Sequence, residues 1–519
     1  MALADDTVNG TFPLVDEKAT LRVMIPSSVD VGSFEDNDFT HWYEEKTNVH
    51  IEWDVVPGDD AATALNVRLA SGDYSDILMG FNQKPAALQL YGSDGTYVAL
   101  NQYIDQHAVE FKRMVEQYPL TTQVITSPDG NIYSLPYVND CFHCAQDRKL
   151  WIYQPWLDEL GLAMPETTDD YANVLRAFKQ RDPNCFPLST CLSTLGGWNS
   201  EYDFNLMNAF VFNPGTPWVS LVDGKATAVY TTDGWKAGTQ WLASLYAEGL
   251  IDPESFTQDA KGLQAKANRE EGTLVGSVPG GSWGVFITWT PNDASQRWAE
   301  YALMPPLKGP DGVQIAPFNP YLPYAPGAFM VTDQCDNPEL AYRWADGLYD
   351  LETTMRAVQG VLDTEWRWAK EGEIGRNGEQ GIWANIPQPT SDVPKSTGWG
   401  QRGPSFRSGK VRNGEILATE GLRTYDLDNI TQQILRPYKQ PDEWWLPPLY
   451  LSTDDSQTVA EIETTILPFV TQTFAQTITG QFDLEGGWDD YLGQLDSMGL
   501  SRYLEITQSA YDKQKAAAG

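Results

Sequence analysis

Between residues 20 and 79 the sequence alternates three short apolar runs with two amphipathic helical patterns, and that alternation leaves few folds open. Leu21, Val23 and Ile25 take every second position, as a strand does, and Phe39, Trp42, Tyr43 and Lys46 follow at helical spacing. Val49, Ile51, Trp53 and Val55 alternate again; a helical pattern through Ala64, Leu65 and Leu69 then leads to the run Asp76-Ile77-Leu78-Met79. Helices between strands are the crossovers that make neighbouring strands parallel, so the chain reads as α/β with a mainly parallel, doubly wound sheet. Ligands of such sheets sit beyond the carboxyl ends of the strands. That singles out the loops 27–38 and 80–84, and 138–140 beyond an apparent hairpin at 131–138. Asp30, Asn82, Gln83, Asn139 and Asp140 are the polar candidates there.

Residues 149–184 read as the passage into a second α/β lobe. Leu150, Ile152 and Tyr153 form a short strand, Pro155 suits a first helical position because it has no N–H to satisfy, and Gly161 stops the helix. Thr167 and Asp170 stand in capping-box spacing before Tyr171, Val174, Leu175 and Phe178, and Asp182-Pro183 ends that second helix. A chain of 519 residues is long enough for two cores, since one core stops growing near about 250–300 residues. A long helix ending near Gly249 and a strand with a Gly-rich turn at 272–289 continue the second lobe. The chain returns near 301–306 and crosses again near 351. The expected division is 1–148 plus 303–351 for the first lobe and 149–302 plus 352–519 for the second. Three crossings give a hinge about which the lobes close. Segments 370–415 and 437–455 are loop-rich but carry Trp383, Trp399, Trp444 and Trp445, which argues against disorder.

With 35 basic against 71 acidic residues the net charge is -36, so the chain lacks the basic footprint that nucleic acid or an anionic membrane requires. The same charge opposes a polyanionic ligand unless basic side chains cluster locally. No apolar run is long enough to span a bilayer, and residues 1–20 have no signal-peptide core. The spacing of the five cysteines suits two local disulfides, Cys141–Cys144 and Cys185–Cys191, with Cys335 as a small buried hydrophobe. Zinc held by Cys141, His143 and Cys144 would lack a second chelating pair; a redox CxxC is the other alternative.

No Walker loop, HExxH, GxSxG or GxGxxG occurs, and none of the four histidines stands in a motif with a nucleophile. A glycosidase carboxylate pair among Glu365, Glu371, Glu373, Asp489 and Asp490 competes with the plainer reading of helix starts and solvated faces. The aromatic residues are more informative, because sugar C–H faces pack on Trp or Tyr rings while hydroxyls bond to nearby polar side chains. Trp198, Trp218, Trp283 and Trp399 lie in loops beside such groups, Trp399 near Gln401 and Arg402, and Tyr321 joins them as a candidate. Trp42, Trp241 and Trp344 sit in helical patterns and read as core.

Four stretches carry a resemblance: 149–184; EGLIDPESFTQD (248–259); PYAPGAFMVTDQCDNPELAYRWADGLYD (323–350); and the tail 474–513. In this order they resemble the extracellular solute-binding proteins of bacterial ABC importers, in the subgroup that includes lipoproteins and alginate-oligosaccharide binders. The resemblance implies a two-lobed periplasmic-binding-protein-like fold of type II, with discontinuous lobes joined by a three-segment hinge. It also implies a monomer outside the cell that delivers its ligand to membrane permease subunits, held by a lipid on a cysteine ahead of this start. In similar proteins a sugar-stacking aromatic occupies the loop of Trp283, which makes Trp283 the first candidate. Relatives often carry a calcium loop after the helix ending at Arg181. Here Asp182-Pro183-Asn184 runs into Cys185-Phe186-Pro187, so neither a metal nor any cofactor is expected. The expected ligand is a neutral oligosaccharide such as a β-linked manno-oligosaccharide. A peptide or other non-sugar solute on the same scaffold is the alternative, ahead of a carbohydrate-active enzyme.

Overall fold

The computed structural model describes residues 12–28, 30–58, 60–191, 202–288, 297–388, 394–417 and 426–518. The early alternation becomes β1 (Ala19–Pro26), β2 (Val49–Val56) and β3 (Ile77–Gln83), with β1 parallel to both of the others. The intervening helix Asp38–Thr47 starts where the Asn37 side chain accepts the Phe39 N–H at 3.1 Å, and it stops at Asn48, whose φ of 59° leaves the helical region. Its Phe39 and Tyr43, one turn apart, are buried on the sheet, while Trp42 is half-buried. The segment read as a hairpin is different in detail. A turn closes at the Thr126–Ile132 bridge, and β4 (Leu135–Asn139) pairs with strands from much later in the chain.

The second lobe begins at β5 (Leu150–Tyr153), buried throughout. The helix Gln154–Leu160 ends at Gly161 with φ 64°, and the helix Thr168–Arg181 carries both halves of its capping box, each bond 3.1 Å long. Tyr171, Val174, Leu175 and Phe178 are buried as their spacing requires. β6 (Phe186–Leu188) follows, then a hairpin of β7 (Val219–Val222) and β8 (Lys225–Ala228), then β9 (Val275–Pro279) and β10 (Tyr301–Leu303). The lobe's sheet runs β10-β5-β9-β6. Gly276 is needed inside β9: a Cβ there would stand 2.6 Å from the Phe178 ring and 2.9 Å from the Pro187 carbonyl oxygen. The long helices Asp233–Ala247 and Thr453–Ile478 contribute to the same core.

The return crossing lies later than 303, because Met304, Leu307, Ala316 and Phe318 are still in the second core. β11 (Tyr324–Val331) then enters the first sheet antiparallel to β3 and β4. The next crossing does not fall near 351. The helix Leu351–Gln359 packs on a small sheet of β12 (Trp366–Trp368), β13 (Trp383–Asn385) and β15 (Glu415–Ile416), and β14 (Ser405–Arg407) runs parallel to β4. The first sheet is therefore β14-β4-β11-β3-β1-β2, and Trp399 and Phe406 belong to its core. Residues 352–417 thus pack with the first lobe, and the chain joins the second core again at the helix Leu427–Ile434. Trp399 buries its ring in the first core, and Trp366 and Trp383 pack in a small cluster with Leu351 and Met355 of the helix that adjoins it, so the segment stays with this lobe.

Cys141 and Cys144 form the expected disulfide at the first crossing. The expected Cys185–Cys191 bridge is absent: the Cys185 thiol is buried and donates to the Phe178 carbonyl at 3.4 Å, behind the helix its loop follows.

One buried acid gives the first lobe a pH dependence. Asp346 caps the helix Glu110–Gln117 by accepting the N–H groups of Val109, Glu110 and Phe111 at 2.9–3.1 Å. The adjacent Glu110 is 2% exposed, and burial, aided by the charges of Asp350 and Asp346 and opposed by Arg113, pushes its carboxyl up to about 7. A raised acid stabilises the fold fully below its unfolded pKa and loses that contribution as pH rises through the folded value. Glu110→Gln is expected to gain on the parent between about pH 4.5 and 7 by on the order of 2–3 kcal/mol, read from urea unfolding at the two ends of that window.

Candidate functional site

β1, β3, β4 and β14 end on one edge of the first sheet, and the loops beyond them meet there. The segment 400–403 runs across this edge: the Arg402 carbonyl passes 2.9 Å from where a Gly80 side chain would begin, and the Arg402 Nη2 donates to the Ser28 hydroxyl at 2.8 Å. Asn82, at the end of β3, is exposed and takes a left-handed φ of 48°. Parallel register sets Ser405 beside Tyr137 and Arg407 beside Asn139. Asn139 Nδ2 donates to Gln401 Oε1 at 3.4 Å, while its own Oδ1 is buried without a partner. Burial raises the Tyr137 phenol and the charges of Arg407 and Arg402 oppose that rise, so both guanidinium groups act on this ring. Burial lowers Arg407 to about 10, which leaves it cationic at neutral pH.

The rim continues in hydroxyls and rings. Asp140 accepts the Tyr118 O–H at 2.5 Å, and burial together with the Asp140 charge pushes that phenol well up, so it remains a donor. Tyr324 lies edge-on to Tyr118 with ring centroids 6.5 Å apart, and burial and Asp140 push it up to about 12. One residue beyond Tyr118 a cavity of about 1020 Å³ opens between the lobes, bounded by Pro119, Leu120 and Gln123 on one side and Tyr450, Asp455 and Lys513 on the other. The Tyr450 hydroxyl bridges it, donating to the Val124 carbonyl at 2.9 Å. A smaller cavity of about 350 Å³ is lined by Tyr321, Trp445 and Glu463 and shares Leu451 with the first. These volumes span the range of small-molecule sites, roughly 300–1,000 Å³.

The structure therefore brings Asp30, Asn82, Gln83, Asn139 and Asp140 to one edge and sets Tyr321 on a cavity wall. It places the tryptophans differently. Trp218 packs edge-on against Tyr230 and Trp235; Trp283 lies between Trp151 and Trp298; Trp399 is in the first core, donating to Thr40 Oγ1 at 2.8 Å. All three are buried, so protein occupies the ring faces that a sugar would need. Trp198 lies outside the described residues. Arg402 was visible beside Trp399, but Tyr137, Arg407 and Tyr118 had no local signal, because β14 must pair with β4 before they meet. Trp445 and Tyr450 stand in the loop-rich run 437–455.

Among the described residues one group has metal-ligand spacing, Cys141, His143 and Cys144, and its two sulfurs are joined to each other. The segment after Arg181 turns at once into β6, with the Asn184 N–H on Asp182 Oδ1 at 2.9 Å and the Cys185 N–H on the Asp182 carbonyl at 3.0 Å. No helix among the described residues is long and apolar enough to cross a membrane.

Two discontinuous α/β lobes joined by three chain segments, with a polar rim at the carboxyl ends of parallel strands, are the architecture of the two-lobed solute-binding proteins. The chain belongs to the bacterial extracellular solute-binding proteins: the sequence model of the family described as Bacterial extracellular solute-binding protein matches residues 26–352. It is similar to the fructooligosaccharide ABC transporter substrate-binding protein FusA of Streptococcus pneumoniae, 28% identical over 98% of this chain and 92% of that protein. The lipoprotein LipO of Bacillus subtilis is 22% identical over 59% of each chain. Among solved structures, FusA in complex with kestose aligns with a TM-score of 0.75 at 25% identity, covering 96% of this chain and all of that one. A solute-binding protein from Bifidobacterium longum infantis, titled as binding HMO, shares the fold with a TM-score of 0.80 at 20% identity over 96% and 99% of the two chains.

Proposed function

We propose that this chain is the capture subunit of an ABC importer and that it takes a neutral oligosaccharide between its two lobes. The observation that carries this reading is the end-to-end correspondence with FusA, which is named for fructooligosaccharides and was solved with kestose. The geometry supports it: the rim offers amide, hydroxyl and guanidinium groups suited to sugar oxygens, with Tyr321 available as an apolar wall. A net charge of -36 disfavours a polyanionic glycan. Ligand bridging both lobes binds the closed arrangement more tightly and shifts the population toward it, and permease subunits then receive the closed form. The protein works as a monomer held at the cell surface by a lipid, as the name of LipO suggests for that relative.

The test is titration calorimetry with kestose, a β-mannotriose, a trigalacturonate and a tripeptide. One neutral sugar is expected to bind saturably, and at about 100 times its Kd to stabilise the protein by roughly 2.7 kcal/mol. Binding of the tripeptide with none of the sugars overturns the ligand class and leaves the fold untouched.

A further inference from the structure

Arg407 is a buried cation that the fold does not neutralise. The other well-buried arginines have carboxylates in contact: Arg376 has Glu415, Asp426 and Asp428, Arg148 has Asp147, and Arg113 has Glu110. Arg407, 4% exposed, has none in contact; the strongest charge acting on it is another cation, Arg412, with the Glu415 carboxylate acting more weakly in the other direction, and Nε and Nη2 are both sealed from solvent without a hydrogen-bond partner. An unpaired buried charge costs several kcal/mol, so a fold that keeps one points to an absent partner. The geometry of what is unpaired is specific. Nε and Nη2 form the side-on fork of a guanidinium, whose two parallel N–H groups match two oxygens about as far apart as those of a carboxylate or a vicinal diol. Directly across the parallel register stands Asn139, whose buried Oδ1 also lacks a partner and is an acceptor. A fork of donors beside an acceptor is complementary to adjacent sugar hydroxyls, which both accept and donate.

We infer that Arg407 and Asn139 form a subsite that reads two adjacent hydroxyls of a neutral sugar unit, with Gln401 as its cover. This rests on the oligosaccharide reading above and assigns its specificity to two residues. Gln401 is exposed and is held to Asn139 by one long bond of 3.4 Å, so it is the rim side chain that yields when a ligand enters. Arg402, tied to Ser28, stays in place as the neighbouring wall. The second cation, Arg412, is occupied elsewhere: it donates to Cys141 Sγ at 3.4 Å and lies 3.9 Å from Asp428.

A ligand role and a structural role predict opposite signs. Arg407→Met fills a similar volume without the charge. If the guanidinium serves the ligand, the free variant melts at or above the parent temperature while affinity for the neutral sugar falls at least tenfold. Arg407→Lys keeps the charge, loses the fork and is expected to lose affinity to a similar extent. Asn139→Ala is expected to weaken the same sugar, and a deoxy analogue lacking one of the two hydroxyls is expected to bind parent and Arg407→Met alike. Unchanged affinity in Arg407→Met, or a loss confined to trigalacturonate, overturns the assignment. A lower melting temperature with affinity retained also overturns it and makes the residue structural. If the parent binds no sugar at all, the oligosaccharide reading fails first and this inference falls with it.

Discussion

Asp428→Ala is expected to lower stability by about 3–5 kcal/mol, the cost of removing one partner from a buried charge cluster. Asp428 is 1% exposed and joins segments that are far apart in sequence. It accepts the His143 N–H at 2.8 Å from the first crossing and the Arg376 Nη1 at 2.5 Å from the first-lobe loop; Arg412 lies 3.9 Å away. Arg376 also contacts Asp426 at 3.1 Å and Glu415, so the node ties the first crossing, the last crossing and the body of the first lobe. Truncation leaves the His143 N–H without its acceptor and removes a negative charge from among Arg376 and Arg412. Asp428→Asn, which keeps an acceptor, is expected to cost less. Arg376→Met/Asp428→Ala is expected to lose more than Asp428→Ala alone, because Arg376 keeps Glu415 and Asp426 as partners in the single variant and leaves both carboxylates without a cation in the double one.

The same node sets an acid limit. Burial alone would raise the Asp428 carboxyl, but the surrounding positive charge and the His143 N–H outweigh it and hold the group below its usual range. A depressed acid stabilises above its unfolded pKa, about 3.9, and loses that contribution as pH falls through the lower folded value. The parent is therefore expected to lose stability relative to Asp428→Ala below about pH 4. Urea unfolding followed separately for each lobe, with curves at pH 3 and pH 7, checks both statements. Equal stability of parent and variant at pH 7 would show that the node contributes nothing net.

What could be read from the sequence was read where the code is local. The passage 149–184 contains its own punctuation: a Pro at the first helical turn, a Gly with positive φ, and a capping box whose two halves are three residues apart in the chain. Nothing distant had to be known. The late return of the chain from the first lobe was not legible for the opposite reason. β14 is three residues long, has no period, and is a strand only because β4 is beside it. Arg407 became a site candidate by the same pairing. The missing Cys185–Cys191 bridge shows another limit: spacing permits a disulfide, but the helix packed above Cys185 offers its thiol a carbonyl. Net charge does not show local arrangement: Arg402, Arg407 and Arg412 lie near one another in a chain of net charge -36. The tryptophans were the hardest case, because the ring that suits a sugar face also suits a core, and only burial separates the two.

Trp283 puts that ambiguity to the sharpest test. The resemblance made Trp283 the first candidate for stacking on a sugar; in the structure it is 2% exposed, with ring centroids 4.8 Å from Trp151 and 5.2 Å from Trp298. The Trp151 indole in turn donates to the Gly280 carbonyl at 2.8 Å, so the Gly-rich turn serves the core as well. Trp399 is equally enclosed, edge-on to Phe39 at 4.6 Å and Trp53 at 5.2 Å. Truncating either ring to Ala is expected to cost about 3–5 kcal/mol, as deleting a buried aromatic does. That loss alone cannot identify a role, because a ligand platform that also packs would show it. Phe can. Trp283→Phe keeps most of the packing, and a core role predicts sugar affinity within about twofold of the parent, below the tenfold that 1.4 kcal/mol represents. A tenfold loss of affinity in Trp283→Phe, with melting temperature held, would mean that lobe closure parts Trp283 from Trp151 and Trp298 and turns its ring toward the sugar.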